Sequence, residues 1–177
     1  MKFLFLDMDG VLNSSPPKKI RNEWKNTYGE KLYLRKLYGI DPDLVKYIKN
    51  IIDNTNCKIV FSTSWRYYKN HPVEGSDWRQ NLLELLGTSS DIFVGNIPDL
   101  SCCDGWGSGT FRRNRGYEIK WWLDNNTEPG KYSYCILDDE IKDILTYIDK
   151  SHVIQTDSTI GISFENSQNA IKILNKE

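Results

Sequence analysis

FLDMDGVLN (5–13) closes an apolar run with two carboxylates set one residue apart, and this junction decides the fold. The run from Lys2 to Leu6 is too short to span a membrane, which takes about 20 apolar residues. It also lacks the longer apolar core and small-residue cleavage site of a secretory signal. It fits a central strand of a parallel sheet, which is buried on both faces and therefore reads as continuously apolar. Asp7 and Asp9 at the carboxyl end of such a strand repel each other and resist desolvation. A cation between them relieves both penalties, and open α/β sheets place their ligands at this edge. Gly10 permits a tight turn beside it. Asp and Gly are also ordinary turn residues, so the rest of the chain must discriminate.

The chain has 177 residues, enough for one domain with its own core. Its 23 Lys and Arg nearly balance 24 Asp and Glu. That excludes a global nucleic-acid charge signature while leaving room for a local basic patch. Four cysteines without a secretory signal predict reduced thiols in a cytoplasmic compartment, with no membrane contact. Cys102 and Cys103 are adjacent and lack the paired CxxC spacing of a zinc site.

Five short apolar runs recur: KFLFLDM (2–8), KIVFST (58–63), DIFVGN (91–96), YCILDD (134–139) and HVIQTD (152–157). Helical patterns follow at 42–53, 76–87, 116–126, 139–148 and 165–175. Leu44, Ile48, Ile51 and Ile52 share one face of the first, Pro42 sits near its start, and Gly87 stops the second. The alternation predicts a single α/β domain over 1–177, a three-layer sandwich around a parallel sheet. Two stretches break the pattern. Residues 14–41 are polar, basic and aromatic, suited to a small helical cap; 97–114 form a Gly- and Ser-rich loop insertion. Both leave the sheet at its carboxyl edge, where long loops tend to be functional.

Comparing strand ends yields a constellation. The first gives Asp7 and Asp9; the second gives Ser62, Thr63 and Ser64, then Trp65 and Arg66. The fourth gives Asp138 and Asp139, with Asp143 a turn later. Arg115 opens a helix whose N-terminus faces the same edge, and Lys120 lies about 7 Å further along. Carboxylates can hold Mg²⁺, which takes oxygen ligands and keeps waters and substrate phosphate. A strand-end hydroxyl can bind phosphate oxygens, and a fixed cation shields them from an attacking carboxylate. The set suits phosphoryl transfer through an aspartyl phosphate.

FLDMDGVLN (5–13), IVFSTSW (59–65), RGYEIKWWL (115–123) and ILDDEIKD (136–143) resemble, in order, the four signatures of the haloacid dehalogenase superfamily. The resemblance implies a Rossmann-like five-stranded parallel sheet of order 5-4-1-2-3. It implies Asp7 as nucleophile, Asp9 as general acid and base, Ser62 on the phosphate, and Arg115 in place of the usual lysine. Asp7, Asp9 and Asp138 would hold Mg²⁺, with the Met8 carbonyl a further ligand and Asp139 nearby. Aspartate at position 9 favours phosphatase over dehalogenase chemistry. STSWR, RGYEI and ILDDE are closest to the phosphatase-like domains of Swiss Army Knife RNA repair proteins, which implies removal of terminal phosphates from RNA or DNA.

Other residues carry two readings each. Asp139 can serve the metal or cap the following helix; Asp143 can serve the site or stay solvated. Thr63 replaces Ser62 if the register shifts, and Lys120 replaces Arg115. Trp65 can simply pack on the core; Arg66 can close the site or pair with a structural acid. Arg112 and Arg113 beside Trp106 and Phe111 suit nucleic-acid contact, as do Lys18, Lys19, Arg21 and Lys25; either group can equally be solvated surface. Two alternatives to nucleic-acid ends stay open: a nucleotidase acting on free nucleoside monophosphates, and a catalytically silent phosphate-binding module.

Overall fold

A computed structural model describes residues 1–75, 77–100 and 114–176. Among these residues five strands, β1 (Lys2–Leu6), β2 (Lys58–Phe61), β3 (Phe93–Asn96), β4 (Ser133–Asp138) and β5 (Val153–Gln155), form one parallel sheet of order β3-β2-β1-β4-β5. Among the described residues, five α-helices accompany them: α1 (Lys18–Tyr38), α2 (Pro42–Thr55), α3 (Trp78–Leu86), α4 (Arg115–Asn126) and α5 (Phe164–Leu174). The fold is α/β and Rossmann-like, with the strand order that the family resemblance implies.

Strand alternation sorts the core into two layers. Leu4, Leu6, Ile59, Phe61, Cys135 and Leu137 pack under α2, α3 and α5. Phe3, Phe5, Val60 and Ile136 face α4 through Ile119, Trp122 and Leu123. Phe3 and Phe5 meet Trp122 edge-on at 5.1 and 5.4 Å. Helix starts follow the sequence signals. Asp41 accepts the Asp43 N–H ahead of Pro42, and Ser163 and Asn166 form a capping box on α5.

Residues 14–41 hold α1, a largely exposed helix broken at Gly29 (φ 69°). The helix expected at 139–148 is replaced by turns and a short 3₁₀ segment, Ile144–Thr146. Its polar groups are engaged elsewhere: Asp138 Oδ1 accepts the Glu140 N–H at 2.9 Å, and Asp143 accepts from α4. Such side-chain acceptors compete with the helical ladder. No helix among the described residues is long and apolar enough to cross a membrane. Cys102, Cys103, Trp106, Phe111, Arg112, Arg113 and most of the 97–114 insertion lie outside the described residues.

Candidate active site

The carboxyl edge of the sheet is furnished by strand parity. Asp7, Ser62 and Asp138 each follow by two residues a side chain that faces α4: Phe5, Val60 and Ile136. Strand pairing continues past the strand ends. The Asp7 N–H donates to the Leu137 carbonyl at 3.1 Å and the Ser62 N–H to the Leu6 carbonyl at 3.0 Å. The three residues therefore stand side by side at the end where α4 begins.

Arg115, the first residue of α4, reaches this row. Its Nη1 donates to Asp7 Oδ2 at 3.0 Å and also to Asp138 Oδ2. The helix start is held from two sides. Asn114 accepts the Tyr117 N–H, and Asp143 Oδ2 accepts the Arg115 N–H at 2.8 Å. Gly116 lies so close to the neighbouring turn that a Cβ would sit 2.7 Å from the carbonyl oxygens of Asp143 and Ile144.

Asp7, Asp138 and Asp139 can each bring a carboxylate oxygen within 4.8 Å of the others. Asp7 and Asp138 are almost fully buried. Burial and the charge of Asp7 push Asp138 up to about 7, against the pull of Arg115. Burial also raises Asp7 and Asp139, with Arg115 opposing in both. Burial alone would lower Arg115, but Asp7 and Asp138 hold it firmly protonated. One guanidinium thus faces three carboxylates, and a divalent cation with a preference for oxygen ligands fits the remaining charge and donor set. Gly10 (φ 67°) lies against Asp139, where a Cβ would overlap its carboxyl group.

Several expectations change. The carboxylates brought together are Asp7, Asp138 and Asp139, not Asp7, Asp9 and Asp138. Asp9 instead accepts hydrogen bonds from Trp65 Nε1 (3.0 Å) and Asn13 Nδ2 (2.9 Å). The Met8 carbonyl accepts the N–H groups of Val11 and Leu12, which occupies the lone pairs a metal would need. Lys120 is exposed and paired with Asp124, away from the row that Arg115 occupies. Asp139 caps no helix, because turns follow it directly. Arg66 pairs with the buried Glu118 at 2.6 Å and donates to the carbonyls of Ser62 (3.2 Å) and Thr63 (2.9 Å). The Thr63 hydroxyl counters the burial of Asp7 by drawing its carboxyl down, and accepts the Trp65 N–H at 3.2 Å. Ser62 Oγ is buried and finds no hydrogen-bond partner among the described residues. A cleft of about 600 Å³ opens beside Arg115, lined in part by Ser64, Tyr67, Asn114, Lys142 and Thr146.

Glu118 and Asn13 escaped the sequence reading. Glu118 left one trace, an acid embedded among the buried Gly116, Ile119 and Trp122 of α4. Asn13 left none beyond its place in the first motif.

The description of the HAD domain in Swiss Army Knife RNA repair proteins matches residues 3–167, and the chain belongs to that family. No curated protein and no solved structure matches it.

Proposed function

We propose, from this membership and the site geometry, that the protein is a Mg²⁺-dependent phosphomonoesterase working through a phosphoaspartate. The observation that carries the reading is the Arg115 guanidinium shared between Asp7 and Asp138, with Asp139 in reach, at the carboxyl edge of the sheet. Asp7, Asp138 and Asp139 would hold the metal; bound there, Mg²⁺ supplies charge neutralisation for the carboxylates and the substrate phosphate.

The residues divide the work. Arg115 places positive charge beside the attacking carboxylate and the phosphate oxygens. The Ser62 hydroxyl, without a partner at its strand end, is available to donate to a phosphate oxygen. An Asp7 oxygen attacks phosphorus, forming the acyl phosphate as the ester P–O bond breaks. Asp9 gives its proton to the leaving oxygen. Water then attacks the phosphoaspartate, Asp9 takes a proton from it, and inorganic phosphate leaves with Asp7 restored.

The substrate we propose is a terminal phosphate on RNA or DNA. The RNA repair setting of the family supports it, as does the cleft beside Arg115. The test is phosphate release with Mg²⁺ from oligonucleotides bearing 3′- or 5′-phosphate, from free mononucleotides and from an aryl phosphate. Oligonucleotide release well above mononucleotide release is expected, with loss of all turnover in Asp7→Asn and in chelator. Preference for mononucleotides would reject the end-processing substrate, and substantial turnover by Asp7→Asn would reject the mechanism.

A further inference from the structure

We infer that Trp65 and Asn13 are positioning residues for Asp9, and that the turn at 71–75 sets Trp65 for this task. The inference rests on the phosphatase reading above and adds to it the means by which the proton-transfer group is aimed.

Asp9 is exposed, one residue beyond the buried Met8, so packing alone does not fix its carboxylate. Two neutral donors do, one on each oxygen. Trp65 Nε1 donates to Oδ2 at 3.0 Å and Asn13 Nδ2 donates to Oδ1 at 2.9 Å. The Asn13 amide is itself oriented, because its Oδ1 accepts the Gly10 N–H at 2.9 Å. Only one amide orientation satisfies both contacts.

The indole is held as tightly. Trp65 is 1 % exposed. His71 stacks on it with centroids 3.6 Å apart and planes 26° apart, and Trp78 meets it edge-on at 5.7 Å. His71 Nδ1 accepts the N–H groups of Val73 (3.4 Å) and Glu74 (3.3 Å), so a neutral ring carries its proton on Nε2. The turn is closed by reciprocal 2.8 Å hydrogen bonds between His71 and Gly75. Glu74 anchors it further: Arg35 donates to both of its carboxylate oxygens at 2.8 Å, and the Ile40 N–H to one at 2.9 Å.

A buried tryptophan needs some acceptor for its N–H, and a backbone carbonyl would serve a purely structural role. Here the acceptor is an exposed carboxylate at the reacting edge. The donors are uncharged, so they orient Asp9 without adding the fixed positive charge that Arg115 brings to Asp7. Small misplacement of a reacting group costs rate steeply.

Of the two steps that use Asp9, only protonation of the leaving oxygen differs between esters, so the signature is the leaving group, read in kcat/KM. An acidic phenol departs without help, whereas an alkoxide needs the proton. The experiment compares turnover of p-nitrophenyl phosphate and of an alkyl phosphomonoester, with Mg²⁺, in Trp65→Phe and Asn13→Ala. Both rates fall, and the alkyl rate falls about tenfold further than the aryl rate. The alkyl-to-aryl ratio is internal to each preparation, so loss of folded protein cancels from it, and either variant alone decides. In an Asp9→Asn background neither substitution moves the ratio further. Equal losses on the two esters would overturn the inference and leave the phosphatase reading intact. No release from either ester by the parent enzyme would overturn both.

Discussion

The backbone N–H of Arg115 donates to Asp143 Oδ2 at 2.8 Å, so the residue that reaches Asp7 and Asp138 is tied down by a third acid. A carboxylate at a helix N-terminus satisfies an orphan donor and complements the helix dipole. Asp143→Ala should cost about 1 kcal/mol of stability, a melting shift of roughly 2–4 °C for a chain of this size. Turnover of an aryl phosphate should drop about tenfold as the first turn of α4 loosens. Asp143→Asn keeps an acceptor oxygen and should lose less. Parent-like kinetics in Asp143→Ala would show that Arg115 holds its place without this tether.

Asp138 and Asp7 share one guanidinium, and burial plus the Asp7 charge push Asp138 up to about 7. Part of the metal-free protein's stability is therefore given up at this pair. Asp138→Asn removes a repelling charge and keeps the shape. At pH 8 without metal it should melt above the parent, by about 1–2 kcal/mol. Millimolar Mg²⁺ should raise the parent melting temperature and leave that of the variant unmoved. An undiminished Mg²⁺ shift in Asp138→Asn would remove this carboxylate from the metal site.

Much of this edge was legible in the sequence, for a simple reason. Parallel strands buried on both faces announce themselves as apolar runs, and polar residues at their ends stand out. Asp7, Ser62 and Asp138 stand out in that way, and register sets them side by side; Arg115 stands out instead as the cation opening the next helical pattern. What the sequence did not yield depends on which way a side chain turns. Asp9 and Asp139 both follow strand-end acids, yet only Asp139 turns toward Asp7 and Asp138. The neighbours that hold Asp9 apart from that carboxylate cluster, Trp65 and Asn13, lie 56 and 4 residues away. The missing helix at 139–148 had the right apolar spacing. Its acid Asp143 was already committed to α4, and Asp138 just before it to a local turn, and no pattern of hydrophobicity records such commitments.

The Arg66–Glu118 pair links the end of β2 to α4 with both side chains buried. Arg66 also donates to the Ser62 and Thr63 carbonyls. Removing one member of a buried pair strands the other, at a cost of about 3–5 kcal/mol. Arg66→Ala and Glu118→Ala should each fall in that range by urea unfolding. The double variant should be far less destabilised than the sum. Arg66→Lys should recover little, because an ammonium cannot span an acid and two carbonyls as a planar guanidinium does. Additive losses in the double variant would mean that the two residues do not stabilise each other.

The turn behind Trp65 should be sensitive to acid. Burial alone would raise the Glu74 carboxyl, but the hydrogen bonds from Arg35 and Ile40, with the Arg35 charge and Asn81, bring it below the ordinary 4.5. An acid depressed on folding stabilises the native state fully above its unfolded value, and that stability is lost as pH falls through the folded value. Glu74→Gln should therefore be less stable than the parent at pH 7, by about 2 kcal/mol. The gap should hold down to about pH 5 and close as the parent carboxylate is protonated below its depressed value. Urea melts of both proteins between pH 7 and pH 3 measure this directly. A gap that stays constant across the whole range would mean that the charge of Glu74 contributes nothing and that the turn is held by packing alone.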